Sequence, residues 1–297
     1  MKKAFSLLEL SVVILILGLM IAGIAQGGRL ITKMRIASAR SFTQASTVAA
    51  IPGLTLWLDA TAEKSFSKLE ADDGQSITNW YDVSPVTQKI IFTQATPLAK
   101  PTYVANAING LPAINFLKSS SQYLGSSTAV RVADIASASE VTIFIVQKFI
   151  SNSTSTFFWD GGGSTRINIH AFHEGSAAAY FDFGVCCNGT SRLTAGYSST
   201  TENNKLRVIS VFKKSSGAAE FRLNGGFAYM STASAMTATL DSTATGNIYI
   251  GGAGPSNAGL EFSGYIAEII VYNRAVTAEE RQEVEQYLGK KWGIKIN

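Results

Sequence analysis

Phe5-Ser6-Leu7-Leu8-Glu9-Leu10-Ser11-Val12-Val13-Ile14-Leu15-Ile16-Leu17-Gly18-Leu19-Met20-Ile21-Ala22-Gly23-Ile24-Ala25 carries a single charge, Glu9, in an otherwise apolar run. About 20 such residues let a helix cross the hydrocarbon of a bilayer, so the stretch predicts a membrane span. A carboxylate at that depth costs about 2.5 kcal/mol or more, and an intramembrane acid is by default a functional group in need of a partner. A secretory signal peptide shares the short basic start. Its apolar part is usually ~7–15 residues long, however, and ends in a small-x-small cleavage site. Here the run is longer, and Gly23-Ile24-Ala25 before Gln26 is the nearest imitation of such a site.

The helical pattern continues past the apolar run. From Gln26 to Ala50 the only breakers are Gly27 and Gly28. Leu30, Ile31, Met34, Ala37, Phe42 and Ala45 recur at helical spacing among Arg29, Lys33, Arg35 and Arg40. Pro52-Gly53 is the expected stop. At ~1.5 Å per residue, a helix over residues 5–51 would be a stalk of about 70 Å. A basic segment lying on anionic lipid is the alternative reading.

Lys2-Lys3-Ala4 followed by Phe5-Ser6-Leu7-Leu8-Glu9 and the long apolar helix resembles the class III leader of type IV pilins and type II secretion pseudopilins. The resemblance implies a leader of residues 1–4 cut by a prepilin peptidase between Ala4 and Phe5. Phe5 then becomes the N-methylated first residue, and Glu9 is the assembly carboxylate that pairs with a neighbouring subunit's amine. Ala4 departs from the usual Gly of that family but keeps its small size. The basic residues after the span outnumber Lys2 and Lys3 before it, and a plain positive-inside count would leave the following domain in the cytoplasm. The leader resemblance places it outside, tethered to a bacterial inner membrane and then carried on a filament.

Six of the 25 Lys and Arg residues lie before Leu54, but only one of the 21 Asp and Glu residues does, which leaves 19 basic against 20 acidic residues beyond it. A near-neutral head lacks the basic footprint of a nucleic-acid binder. Residues 52–297 are long enough for one large all-β domain. Short strands are predicted at 54–58, 89–93, 113–116, 141–146, 156–159, 166–170, 206–212 and 248–250. Glu220 to Tyr229 is the clearest hairpin, because Asn224-Gly225 supplies the positive φ values that match strand twist. A sandwich or jelly roll follows. The chain closes on an amphipathic helix with a Thr277/Glu280 capping box and Val284, Tyr287, Leu288 and Trp292 on one face. Lys290 and Lys291 complement its carboxyl end, and the helix should cover the sandwich.

Several blocks of the head are similar to concanavalin A-like, laminin-G type domains of bacterial surface proteins. They are residues 53–60, 77–84, 101–116 and 264–275, which include Leu56-Trp57-Leu58-Asp59 and Ala267-Glu268-Ile269-Ile270. The resemblance implies the fold class: mainly β, a long N-terminal helix followed by a jelly-roll sandwich with a C-terminal helix. It says little about ligand, because one fold hosts many functions.

No catalytic motif emerges. There is no Glu-x-Asp-x-x-Glu strand, Gly-x-Ser-x-Gly elbow, His-Glu-x-x-His or Walker loop, so the chain is not expected to be an enzyme. His170 and His173 are three apart and would face opposite sides of a strand, as ordinary surface or edge residues. Asp59, Asp82, Asp160 and Asp182 are the carboxylates to watch for Ca²⁺, with turn stabilisation the favoured role for each. Trp80, Tyr81, Trp159 and Tyr180 offer rings for sugar stacking, against a favoured role in the core. Cys186-Cys187 leaves three states open: a vicinal disulfide, free thiols and an intermolecular bridge. Asn188-Gly189-Thr190 matches a glycosylation sequon by chance. Together these features predict a filament subunit whose partners are a prepilin peptidase, other pilin or pseudopilin subunits, and a glycan or surface protein met by the head. A membrane-tethered carbohydrate-binding module that never polymerises is the alternative.

Overall fold

The computed structural model describes residues 7–150, 155–162, 165–170, 178–185, 189–196, 202–230 and 236–297. The expectations for Ala4, Phe5, His173, Cys186, Cys187 and Asn188 lie outside the described residues.

Helix α1 (Leu7–Gln44) runs through Gly27 and Gly28 without a break, a length of about 57 Å. It stops seven residues before the expected end at Ile51, and residues 45–51 form turns instead. Local hydroxyls contribute to the stop, since such side chains compete for backbone groups. Thr43 Oγ1 donates to the Ala39 carbonyl at 3.2 Å and Ser46 Oγ to the Thr43 carbonyl at 2.8 Å. The turns also carry Val48 and Ile51 into contact with the head, where both are buried. Gly53, at φ +86°, then feeds the chain into the first strand.

Seventeen strands follow among the described residues: β1 (Leu54–Asp59), β2 (Asn79–Tyr81), β3 (Ile91–Thr93), β4 (Thr102–Ile108), β5 (Leu111–Phe116), β6 (Leu124–Ser126), β7 (Val130–Arg131), β8 (Val141–Phe149), β9 (Ser155–Asp160), β10 (Thr165–His170), β11 (Ala179–Val185), β12 (Arg192–Ala195), β13 (Leu206–Lys213), β14 (Ala219–Leu223), β15 (Gly226–Met230), β16 (Thr245–Ile250) and β17 (Gly264–Tyr272). Helix α2 (Ala278–Trp292) closes the chain. The first sheet has the order β15-β14-β13-β8-β17-β5-β4, with β1 also paired to β17. The second has the order β12-β11-β10-β9-β16-β6-β3-β2, with β7 on β16. Each pairing is antiparallel. In the β14–β15 hairpin Asn224 (φ 51°) and Gly225 (φ 77°) both take the left-handed conformation a two-residue turn requires.

Period-two alternation sends Ile143, Ile145, Phe157, Trp159, Ile167, Ile169, Phe181 and Phe183 into the core between the sheets. A second core forms on the outer side of the first sheet, where Trp57, Phe144, Val146, Ile270 and Tyr272 meet Ala39, Val48 and Ile51 from the stalk end and Val284, Leu288 and Trp292 from α2. The molecule is therefore a sandwich with one outer side roofed by helices. That is why β8 is buried on both faces over residues 141–147. The Thr277/Glu280 capping box forms as expected. Lys291, expected to complement the helix dipole, is instead buried in ion pairs with Asp59 and Glu268.

Candidate functional sites: the exposed helix, its junction and the outer face of the second sheet

In α1, Leu7 to Ile24 is exposed throughout, and the helix is long and apolar enough to cross a membrane. Glu9 is the one acidic residue in its first turn. Two hydroxyls bond back to the helix's own carbonyls: Ser11 Oγ donates to the Leu8 carbonyl at 2.8 Å and Thr32 Oγ1 to the Gly28 carbonyl at 3.1 Å. A hydrocarbon environment demands such internal pairing.

The other end of the helix is fastened to the head. Arg35 lies over Gly110, whose φ of +84° and missing Cβ make room for the guanidinium. Arg40 Nε donates to the Thr61 carbonyl at 2.8 Å, Tyr272 Oη to the Val48 carbonyl at 2.9 Å, and Arg274 Nε to the Pro52 carbonyl at 2.8 Å. A cleft of about 250 Å³ beside this junction is lined by Arg40, Thr43, Gln44, Asp59, Glu63 and Lys64.

Beneath the junction lies a buried ionic cluster. Lys291 Nζ is 2.7 Å from Asp59 Oδ2 and 2.8 Å from Glu268 Oε2, and all three side chains are 0% exposed. Its remaining proton faces Tyr287 Oη at 3.1 Å. Glu268 also accepts from Trp57 Nε1, Tyr287 Oη and Trp292 Nε1, each at 2.7 Å. Asp59 Oδ1 accepts from the Thr61 amide at 2.8 Å and hydroxyl at 2.7 Å, and Oδ2 from Thr43 Oγ1 at 3.0 Å. Burial, with the charge of Asp59 adding to it, raises the Glu268 carboxyl above its ordinary value against the pull of Lys291. Sequence reasoning singled out Asp59 but not its partners. Two signals were there to read: Glu268 is a lone charge in an apolar strand, and Lys291 falls on the α2 face of Val284, Tyr287 and Leu288.

Asp82 also bonds to β1, where its Oδ1 accepts from the Trp57 amide at 3.1 Å and the Ser84 amide at 2.8 Å. Asp160 and Asp182 lie apart from this pair, on the second sheet. Asp160 Oδ1 accepts from the Gly162 amide at 3.1 Å. Among the described residues no group of three or more His, Cys, Asp or Glu side chains converges in a way that could hold a metal. Trp80 and Trp159 are buried between the sheets and present no ring to solvent, while Tyr81 is half-buried at an edge strand.

The outer face of the second sheet carries a polar and aromatic patch. Asp182 is buried and held from both sides: by Arg192 through both carboxylate oxygens and by Arg166 Nη2 at 2.7 Å. Burial pushes its carboxyl up, but the Arg192 hydrogen bond and the charges of both arginines outweigh this and leave it below its ordinary value. His170 is buried rather than on the surface, with Nε2 3.9 Å from Asp182 Oδ2. The Arg192 guanidinium sits 4.3 Å over the ring of Tyr180. Tyr123 and Tyr249 pack edge to face at 5.7 Å beside Phe158, and both remain half-buried, as does Tyr180. Neither arginine was picked out from the sequence.

No family model matches this chain, and no curated protein matches it. Among solved structures, it is similar to the binding domain of Paraclostridial Mosquitocidal Protein 1, with 10% identity and a TM-score of 0.54 over 81% of this chain and 55% of that one. It is also similar to the Botulinum neurotoxin serotype D binding domain, with 11% identity and a TM-score of 0.52 over 81% of this chain and 52% of that one. Trypanosoma rangeli sialidase in complex with sialic acid matches at 14% identity and a TM-score of 0.48, over 83% of this chain and 34% of the sialidase. The chain thus spans between about a third and just over half of these proteins. At such identities the likeness shows the fold: a β-sandwich of the kind found in those two toxin binding domains, here set on a long apolar helix.

Proposed function

We propose that this chain is a type IV pilin-like filament subunit, a minor pilin or pseudopilin, whose β-sandwich head makes contact with a glycan or surface protein. The observation that carries this reading is the helix itself: Leu7 to Ile24 is apolar and exposed on every side, holds one acid, and is joined to the head by a built junction. In this reading a prepilin peptidase removes residues 1–4, Phe5 becomes the methylated amino terminus, and Glu9 neutralises the Phe5 amine of a neighbour in the helix bundle. The span holds the subunit in the inner membrane before assembly, and the head stays outside the cytoplasm.

Ligand contact belongs on the second sheet, because helices roof the outer side of the first. Tyr123, Tyr180 and Tyr249, with Arg166 and Arg192, supply the aromatic and donor groups that sugars or acidic peptides engage. The likeness to two toxin binding domains supports a contact role for the head. Mass spectrometry of the mature amino terminus tests the processing step: Phe5 is expected first, and Gln26 would show a signal peptide and end the assembly reading. For the ligand, a glycan array on the wild type and on Tyr180→Ala is the test. If Glu9→Ala enters sheared filaments as well as wild type, a tethered binding module replaces this reading.

A further inference from the structure

The Asp59–Lys291–Glu268 cluster has more structure than a salt bridge requires. With both carboxyl groups ionised, an ammonium between them would leave one negative charge in excess, buried among Trp57, Tyr287 and Trp292, and such a charge is costly to take out of water unless pairing is excellent. The cluster also brings an amine and a carboxyl group into contact at 2.7 Å, with a second carboxylate at 2.8 Å from the same nitrogen. Reacting groups held in contact in the absence of competing water behave as at very high effective concentration.

We propose that Lys291 and Asp59 join through an intramolecular amide bond, with Glu268 as the proton relay. Lys291 Nζ gives up a proton and attacks Asp59 Cγ, so that an N–C bond forms. The negative charge that develops on Oδ1 is met by the amide and hydroxyl of Thr61, at 2.8 Å and 2.7 Å, which is where preorganised donors stabilise such an intermediate. The Cγ–Oδ2 bond then breaks, and Oδ2 leaves as water. Of the two protons that water needs, one passes directly along the Nζ–Oδ2 contact. The other passes through Glu268 Oε2, which ends as it began. An ammonium and a carboxylate become a neutral amide and one water, and no oxidant or co-reactant is required.

The surroundings suit the product. The new N–H points at Glu268, the remaining carbonyl keeps both Thr61 donors, and Glu268 keeps the two indole N–H groups and the Tyr287 hydroxyl. Burial raises the Glu268 carboxyl, which favours the protonated form a relay passes through. The bond ties β1, the first strand after the stalk, to α2, the last element of the fold. A load arriving through the stalk would pass from β1 to α2 without unzipping the sheet. The inference does not depend on assembly into filaments.

The test is the intact mass of the full-length protein extracted from membranes in detergent. The wild type is expected one water lighter than its processed sequence, and a protease digest should contain a branched peptide joining the Asp59 and Lys291 segments. Glu268→Gln and Lys291→Arg, checked for folding by circular dichroism, should regain the full mass and lose the branched peptide. A folded wild type at full mass after prolonged incubation at neutral pH overturns the proposal, without recourse to any variant. Water loss without a branched peptide, or a branch through Glu268 in place of Asp59, overturns it equally.

Discussion

Asp182→Asn tests the reading of the second sheet's outer face. The substitution keeps the size of the side chain but removes the charge that both arginines engage. Breaking a buried ion pair by removing one partner typically costs ~3–5 kcal/mol, because the other charge is stranded. The side chains of Arg166 and Arg192 keep 17% and 20% exposure, so water reaches the stranded guanidinium groups and the expected loss is nearer ~2–4 kcal/mol. In a domain of this size each kcal/mol lowers the melting temperature by roughly 2–4 °C, which predicts a fall of about 5–15 °C at neutral pH. The arginines hold the folded-state carboxyl of Asp182 below its ordinary value. Its stabilisation is therefore fully present above the unfolded value near 3.9 and is lost as pH falls through the lower folded value. The gap between wild type and variant should close in acid. Thermal melts across pH, combined with an Arg192→Gln double-mutant cycle, measure both quantities. A variant within ~0.5 kcal/mol of wild type at neutral pH, or a gap that widens in acid, would refute the argument.

Glu9→Ala should insert into the membrane at least as well as wild type, since a charge leaves an apolar span. On the proposed assembly it should nevertheless be missing from sheared filaments, because a neighbouring amine would lose a partner worth ~3–5 kcal/mol; immunoblots of membrane and filament fractions decide. A chain beginning at Ile36 should be a soluble, β-rich monomer that melts above one beginning at Pro52. The shorter form uncovers Trp57, Phe144 and Tyr272 where Val48 and Ile51 lay, so equal melting temperatures would show that the stalk end contributes nothing. Gly110→Val places a branched side chain at φ +84° under Arg35. It should cost ~1–2 kcal/mol from the left-handed backbone alone and loosen the stalk, and urea denaturation with limited proteolysis near residue 45 reads both effects.

Local pattern made much of the architecture legible. A long apolar run with one charge can only be a helix if it is to satisfy its own backbone in lipid. The alternation in Arg166 to His170 places Ile167 and Ile169 inward whatever strand lies beside them, and Asn224-Gly225 and Thr277/Glu280 are devices complete within four or five residues. Strand β11 was not among the expected strands, although Phe181 and Phe183 alternate with Tyr180 and Asp182; its weight as a strand comes from pairing with β10 and β12. Other features needed the fold. Thr43 and Ser46 mark where the stalk can end, but Val48 and Ile51 turn away from it because they find an apolar surface on the first sheet, and that surface is not written in the stalk. Asp182 acquires two arginines because antiparallel pairing sets β10 and β12 on either side of β11. Asp59 meets Glu268 because β1 lies against β17, and meets Lys291 because α2 packs across both. Sequence periodicity says which face of an element turns inward, whereas the partner it finds there depends on contacts between residues far apart in the chain, and only the folded packing selects those.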